Sequence, residues 1–402
     1  MKIAPLLTAV SALASLCACA VHPDKIPDHT LFGDDEAKIT AEGETLRFAV
    51  IGNVRGPVPG LDRAGGGISY DGVPEAMIAD LRAKVDAKEL DYITLMGDTV
   101  RGSSDAEWKA FDGRWREVLD GETLPLTEGY RVPVVPVAGD LEYRADKDLA
   151  GMEGAFPGVG VDIGFNRVAT WYAFDVRVQD TVWRMVVLDS HKKLMGSRWN
   201  EQLYWIPRAT EGRYDHILVF MHDPLVTLSP PTPRNAEGAP DELLETLEDN
   251  AALFKLRGVF AAEPHTTEIH LPDGKQGTAH FIAGGGGAPA EPLERWGNGD
   301  DIGKGDLALE TMFDLALQKR VDRWAEDQEW PESAIEKAKG SGSWEGFTAT
   351  YDPHHLPLFG YWLVELGGEG LTATWVAWEP GNTLKPSYAI EYVDGTGWGA
   401  KL

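Results

Sequence analysis

Apolar residues in this chain gather in short unbroken runs that stop on small or charged residues. Leu46-Arg47-Phe48-Ala49-Val50-Ile51 stops at Gly52-Asn53-Val54-Arg55, and Tyr92-Ile93-Thr94-Leu95-Met96 stops at Gly97-Asp98. Val132-Pro133-Val134-Val135-Pro136-Val137 stops at Ala138-Gly139-Asp140-Leu141-Glu142. Ile217-Leu218-Val219-Phe220-Met221 stops at His222-Asp223-Pro224, and Gly258-Val259-Phe260-Ala261-Ala262 stops at Glu263-Pro264-His265. Runs of this length predict buried strands, covered on both faces as in a largely parallel sheet. In an open α/β sheet, ligands collect at the carboxyl ends of the strands. The five tips together carry carboxylates, histidines and one arginine.

Other stretches carry a helical period. Pro74 opens a helix to about Lys88 whose Ile78, Leu81 and Val85 share one face. With the strands on either side it makes a βαβ unit. Trp108, Phe111, Trp115 and Leu119 form the apolar stripe of a second helix, from Asp105 to Leu119. Asp241 is expected to cap a helix to about Leu256. Trp171–Val178 and Trp183–Leu188 predict adjacent strands joined across Gln179-Asp180-Thr181. Tyr361–Leu366 and Leu371–Ala377 alternate about a Gly367-Gly368-Glu369-Gly370 turn, which predicts a hairpin. The glycine-rich stretch 56–72 and the proline-rich stretch 229–240 are expected as loops, and Asp352-Pro353-His354-His355 as another. Asp189-Ser190-His191 is a D-x-H at a strand end, and its place in the chain order argues against its being a displaced metal motif.

Composition narrows the partners. A formal charge of −27, or −28 once Lys2 leaves with a leader, excludes nucleic-acid or anionic-lipid binding through bulk electrostatics. An anionic substrate would need local cations. Met1-Lys2, an apolar stretch to Leu16 and Cys17-Ala18-Cys19-Ala20 predict an export signal. Leu16-Cys17-Ala18-Cys19 resembles a bacterial lipobox with Cys19 as the lipidated residue. Cleavage after Ala18-Cys19-Ala20 is the competing reading. Either way no cysteine pair survives for a disulfide. The expected organisation is a leader over 1–19, a tether over 20–45, one domain over 46–390 with a helical insertion at about 295–345, and a C-terminal tail over 391–402. The location expected is the bacterial cell envelope, with the membrane reached only through the lipid anchor.

Taken in order, the five tips resemble the calcineurin-like metallophosphoesterases. That family reads D-x-H, G-D-x-x-D or R, G-N-H-D or E, a lone H before a proline-containing turn, and G-H-x-H. Here the blocks are Asn53-x-Arg55, Gly97-Asp98-x-x-Arg101, Gly139-Asp140-Leu141-Glu142, His222-Asp223-Pro224 and Ala262-Glu263-Pro264-His265. The resemblance implies an α/β four-layer sandwich, with two mixed β-sheets flanked by helices. It also implies two metal ions bridged by Asp98. The first ion would be held by Asn53, Arg55, Asp98 and His265, and the second by Asp98, Asp140, His222 and Glu263.

Several ligand letters have changed. Arginine offers no lone pair and stays protonated, so Arg55 is expected to exclude the first ion and to stand where its charge would have been. Asp98, Asp140, Glu263 and His222 can still donate to one ion, or else form a metal-free cluster in which Arg55 pairs with the carboxylates. Three carboxylates with one imidazole favour Mg²⁺, Mn²⁺ or Ca²⁺ over Zn²⁺. Leu141 replaces the histidine to which the resemblance assigns leaving-group protonation. Arg101 and Glu142 keep family-like letters and are expected to serve as ion-pairing supports. Two functions follow. One is an exported phosphoester hydrolase with at most one ion, in which Arg55 binds a phosphate oxygen of a small phosphoester and His265 carries a proton. The other is a catalytically inactive lipoprotein that keeps the scaffold for binding or envelope assembly.

Overall fold

The computed structural model describes residues 39–41, 43–55, 73–119, 134–156, 170–225, 239–248, 255–263, 265, 267–272, 277–286, 351–355, 359–379 and 383–401. The leader with Cys19, the loop 56–72 and the insertion at 295–345 lie outside them, as does most of the loop 229–240.

The chain opens with β1 (Ile39–Thr40), β2 (Leu46–Ile51), α1 (Val73–Asp86), β3 (Tyr92–Leu95), α2 (Asp105–Leu119) and β4 (Val134–Pro136). Two short helices follow, α3 (Glu142–Ala145) and α4 (Ala150–Ala155), then the hairpin β5 (Tyr172–Val178) and β6 (Thr181–Val187). Next come α5 (Lys192–Met195), α6 (Arg198–Ala209), β7 (His216–Phe220), α7 (Ala239–Glu248) and β8 (Leu256–Ala261). The remaining strands are β9 (Thr267–Pro272), β10 (Ala279–Ala283), β11 (Tyr351–His355), β12 (Gly360–Leu366), β13 (Gly370–Glu379), β14 (Thr383–Val393) and β15 (Gly397–Ala400).

They form two mixed sheets, ordered β1-β5-β6-β7-β8-β10-β9-β11 and β15-β14-β13-β12-β2-β3-β4. The unbroken apolar runs are the parallel strands at the heart of each sheet. β2, β3 and β4 are parallel in one, and β6, β7, β8 and β10 in the other. Helix α1 packs on the first sheet through Met77, Ile78 and Leu81, with Trp108, Phe111 and Trp115 of α2 buried beside it. On the far face of the second sheet, Trp199, Trp205 and Ile206 of α6 and Leu243 and Leu247 of α7 cover Val186, Val219 and Val259. The result is the α/β sandwich of two mixed sheets flanked by helices that the tip pattern implied.

Between the sheets lies an aromatic layer. Phe48 stacks on Tyr92 at 4.5 Å, Phe260 on Phe281 at 4.5 Å and Phe220 on Phe260 at 5.4 Å. Phe260 is fully buried at the centre of this stack. Phe260→Ala is expected to cost about 3–5 kcal/mol, read as a lowered midpoint in chemical denaturation. A loss under about 1 kcal/mol would show that the layer relaxes around the void.

The helix expected from Asp241 to about Leu256 is α7, Ala239–Glu248, and Leu256 opens β8. Three further sequence expectations are corrected. Ile39-Thr40, placed in the tether, pairs in parallel with Val176-Arg177 of β5. The stretch 391–402, read as a tail, holds the end of β14 and all of β15. Tyr392 and Trp398 are buried there, their rings 5.4 Å apart, and this packing draws the stretch into the sheet. Asp352-Pro353-His354-His355, read as a loop, belongs to β11, antiparallel to β9. All three are at or next to sheet edges, where pairing on one side suffices and the apolar pattern is weak.

Candidate active site at the strand tips

The tips of β2, β3 and β4 face those of β7 and β8 where the two sheets approach. Gly52 N donates to Ala283 O (2.9 Å) across that boundary. A Cβ on Gly52 would stand 2.1 Å from that of Ala262, so only glycine permits the approach. The tip backbones leave ordinary space at the residues that carry chemistry. Asn53, Asp98 and His265 have φ of +54°, +52° and +64°. Left-handed conformations at non-glycine residues carry strain, and they persist where surrounding bonds over-determine them.

Glu142 supplies much of that restraint at Asp98. It is buried, and its Oε2 accepts from the backbone N–H of Asp98 (3.0 Å) and Gly139 (2.8 Å). Its Oε1 accepts from Thr99 (2.6 Å) and Val100 (3.4 Å). Glu142 thus joins the β3 and β4 tips through backbone amides and is not the ion-pairing support expected. Arg101 is solvent-exposed and stands apart from this clamp.

Arg55 is buried with its Nε donating to Asp98 Oδ2 (3.1 Å) and its Nη2 3.4 Å from His265 Nε2. Leu141 N donates to Asp98 Oδ1 (3.2 Å). His222 donates from Nδ1 to Met96 O (2.7 Å), which turns Nε2 toward Glu263 Oε2 (3.4 Å) and Asp98 Oδ1 (3.7 Å). His265 Nε2 is also 3.4 Å from Glu263 Oε2. Asn53 is fully buried and donates to Ala262 O (3.0 Å) and Gly284 O (3.4 Å).

Charge follows this geometry. Burial alone would pull the His222 imidazole down. The nearby Glu263, Asp98 and Asp223 carboxylates outweigh it and raise its pKa to about 10. Burial would raise Glu263, but His265, His222 and Arg55 bring it down to about 2. Burial and Asp98 push Glu142 upward against the pull of His222 and the amides of Thr99 and Gly139.

Asp98, His222 and Glu263 each present a donor atom within 4.8 Å of the others. His222 Nε2 and Glu263 Oε2 are buried without a hydrogen-bond partner. Two carboxylates and an imidazole whose other nitrogen is tied to a carbonyl fit a divalent ion. Asp140, expected as a fourth ligand, is half-buried on the β4 tip and does not join this group. At the first-ion position Arg55 holds Asp98 and faces His265, and Asn53 gives its amide nitrogen to two carbonyls while its Oδ1 is buried without a hydrogen-bond partner.

A second cluster adjoins the first, around Asp189-Ser190-His191, whose place in the chain order argues against a displaced metal motif. The His191 ring lies 5.5 Å from that of His222. Its Nδ1 donates to Asp189 Oδ1 (2.9 Å), while Tyr143 donates its hydroxyl to Asp189 Oδ2. The parallel pairing of β6 with β7 creates this closeness. The D-x-H spacing was its signal in the sequence.

No family model matches the chain, and no curated protein does. Solved structures do match, at low identity. The purple acid phosphatase PPD1 from yellow lupin seeds (Lupinus luteus) is 13% identical with a TM-score of 0.52 over 88% of this chain and 54% of its own. The chain therefore spans about half the length of that enzyme. PhoD is 12% identical with a TM-score of 0.51, over 90% of this chain and 72% of its own. GAP50, the anchor in the inner membrane complex of Plasmodium, is 14% identical with a TM-score of 0.48, over 86% and 88%. The first two likenesses agree with the layer order above: the fold is metallophosphoesterase-like.

Proposed function

We propose that the chain is a phosphoester hydrolase whose divalent ion is held by Asp98, His222 and Glu263, and whose Arg55 receives the phosphoryl group. The observation that carries this reading is the buried Arg55 guanidinium beside Asp98 and His265, next to a three-donor group fit for one ion. A planar guanidinium binds phosphoryl oxygens through paired, charge-assisted hydrogen bonds. It supplies the local cation that the acidic chain otherwise lacks. The bound ion supplies Lewis-acid charge. The donor set, rich in oxygen, favours Mg²⁺, Mn²⁺ or Ca²⁺ over Zn²⁺. His265, 3.4 Å from Glu263, is the group that holds a proton near the bound phosphoester. Leu141, apolar and buried, moves none. Export through the leader, with lipidation at Cys19, belongs to the same proposal and is tested by lipid labelling of wild type against Cys19→Ala.

The test of function is hydrolysis of p-nitrophenyl phosphate and its diester with added Mn²⁺. Arg55→Met is expected to lower kcat/KM about 10- to 100-fold, matching charged hydrogen bonds worth about 1.5–3 kcal/mol. A wild type without activity, or a variant equal to it, would end this reading.

The raised pKa of His222 sets a second expectation. With a pKa of about 10, the ion-free imidazole holds its proton on Nε2 through neutral pH. An ion at Nε2 must displace it. Binding is therefore expected to release about one proton per ion at this position, with affinity rising as pH climbs toward that value. Calorimetry in buffers of different ionisation enthalpy, with wild type compared to Glu263→Gln, measures the release. Proton-neutral binding would place the ion elsewhere.

A further inference from the structure

We propose that His191 and Asp223 hold a second divalent ion, beside the one at Asp98, His222 and Glu263 and displaced from the position that Arg55 closes. The inference goes beyond the function proposed above and shares only its neighbouring ion. It begins with sheet order. β6 and β7 are parallel neighbours, and Leu188 N still donates to Phe220 O (2.8 Å) past the last ladder pair. Their tips, Asp189 to His191 and His222-Asp223, therefore emerge side by side.

Asp189 is fully buried and fixed from every side. Gln202 accepts from its backbone N–H (2.8 Å) and donates to its carbonyl (2.8 Å). Its Oδ1 accepts from both the backbone N–H and Nδ1 of His191, each at 2.9 Å. A histidine whose Nδ1–H is given to a carboxylate has its Nε2 lone pair to offer, and this carboxylate–histidine arrangement is the usual support behind a metal ligand. His191 Nε2 is buried, with the side chain 3% exposed, and has no hydrogen-bond partner. It lies 3.7 Å from Asp223 Oδ2, beyond hydrogen-bond reach. Asp223 is itself steadied where its N–H donates to Ser190 Oγ (3.0 Å).

Two donors bound to one ion at about 2.0–2.2 Å stand roughly 3–3.6 Å apart in octahedral or tetrahedral geometry. A shift of about a tenth of an ångström brings His191 and Asp223 into that range. His191 and His222 then match: each gives Nδ1–H to an oxygen, and each turns a buried Nε2 toward carboxylates. One imidazole and one carboxylate suit Mn²⁺, with water or a phosphoryl oxygen completing the shell.

The test counts Mn²⁺ bound to chelator-stripped full-length protein by equilibrium dialysis. Wild type is expected to hold two ions. His191→Gln and Asp223→Asn should each hold one, as should Glu263→Gln, and His191→Gln with Glu263→Gln none. Asp189→Asn should weaken one ion about 10- to 100-fold and leave the other unchanged. Melting curves identify any variant that fails to fold, and the others then decide. Wild type binding one ion, lost in Glu263→Gln and kept in His191→Gln, would overturn this inference and leave the proposed function standing. Loss of one ion only in His191→Gln, with none lost in Glu263→Gln, would support the inference and sink the ion placement of the proposed function. A wild type that binds none overturns both.

Discussion

Glu142→Gln is expected to destabilise the protein by about 2–4 kcal/mol, more than a substitution at any exposed carboxylate. The reason lies in what faces the side chain. Four backbone N–H groups, from Asp98, Thr99, Val100 and Gly139, converge on its two oxygens. Glutamine keeps one oxygen and turns an NH₂ toward the other donors. Buried donors left unmade cost about 1–3 kcal/mol each. One effect opposes this. Glu142 is buried near Asp98, which pushes its pKa up, so removing its charge relieves some repulsion. Unmet donors outnumber that single repulsion, and the loss prevails. The substitution should also weaken ion binding, because Asp98 sits at φ +52° and Glu142 takes its N–H. Denaturant melts and Mn²⁺ affinity measure the two effects. A melt within about 1 kcal/mol of wild type would show that the tips are held by something else.

The same residue marks how far the sequence could be read. The five tips were legible because strands buried on both faces are unbroken apolar runs, and Gly52, Gly97 and Gly139 punctuate them where no Cβ fits. A Cβ on Gly139 would meet Asp98 N at 2.3 Å. Chain order then carried the fold. Side-chain direction was not legible. Whether Asp140 joins a ligand group, or Glu142 pairs with ions or with amides, depends on how the turn is pinned. That pinning is tertiary. His191 was visible as a motif and set aside because chain order separates it from the other tips. The sheet reorders by neighbourhood, and β6 beside β7 brings it to His222. β1, β11 and β15 were missed because strands at a sheet edge need only weak patterning.

Reversing the altered letters should give the largest change in function. Asn53→Asp, Arg55→His and Leu141→His together are expected to raise phosphoester hydrolysis at least about 10²-fold, the lower end of what a general acid alone contributes. The structure says what each change must overcome. Asn53 now gives its amide to Ala262 O and Gly284 O, so an aspartate there would face two carbonyls with no proton to offer. Arg55 now neutralises Asp98, so its removal leaves that carboxylate buried at 1% exposure beside Glu263. Without an ion the triple variant should therefore be less stable than wild type. An ion that takes these oxygens reverses the deficit, and 100-fold excess over Kd adds about 2.7 kcal/mol. The variant should thus melt low when chelated and recover with Mn²⁺, by a larger margin than wild type, and its activity should follow the ion. A variant that recovers stability with Mn²⁺ but stays inactive would mean that the histidine at 141 does not reach the leaving group. One that ignores Mn²⁺ altogether would mean that the β2 tip was never an ion site in this chain, and the correspondence of Asn53 and Arg55 to a D-x-H pair would fall with it.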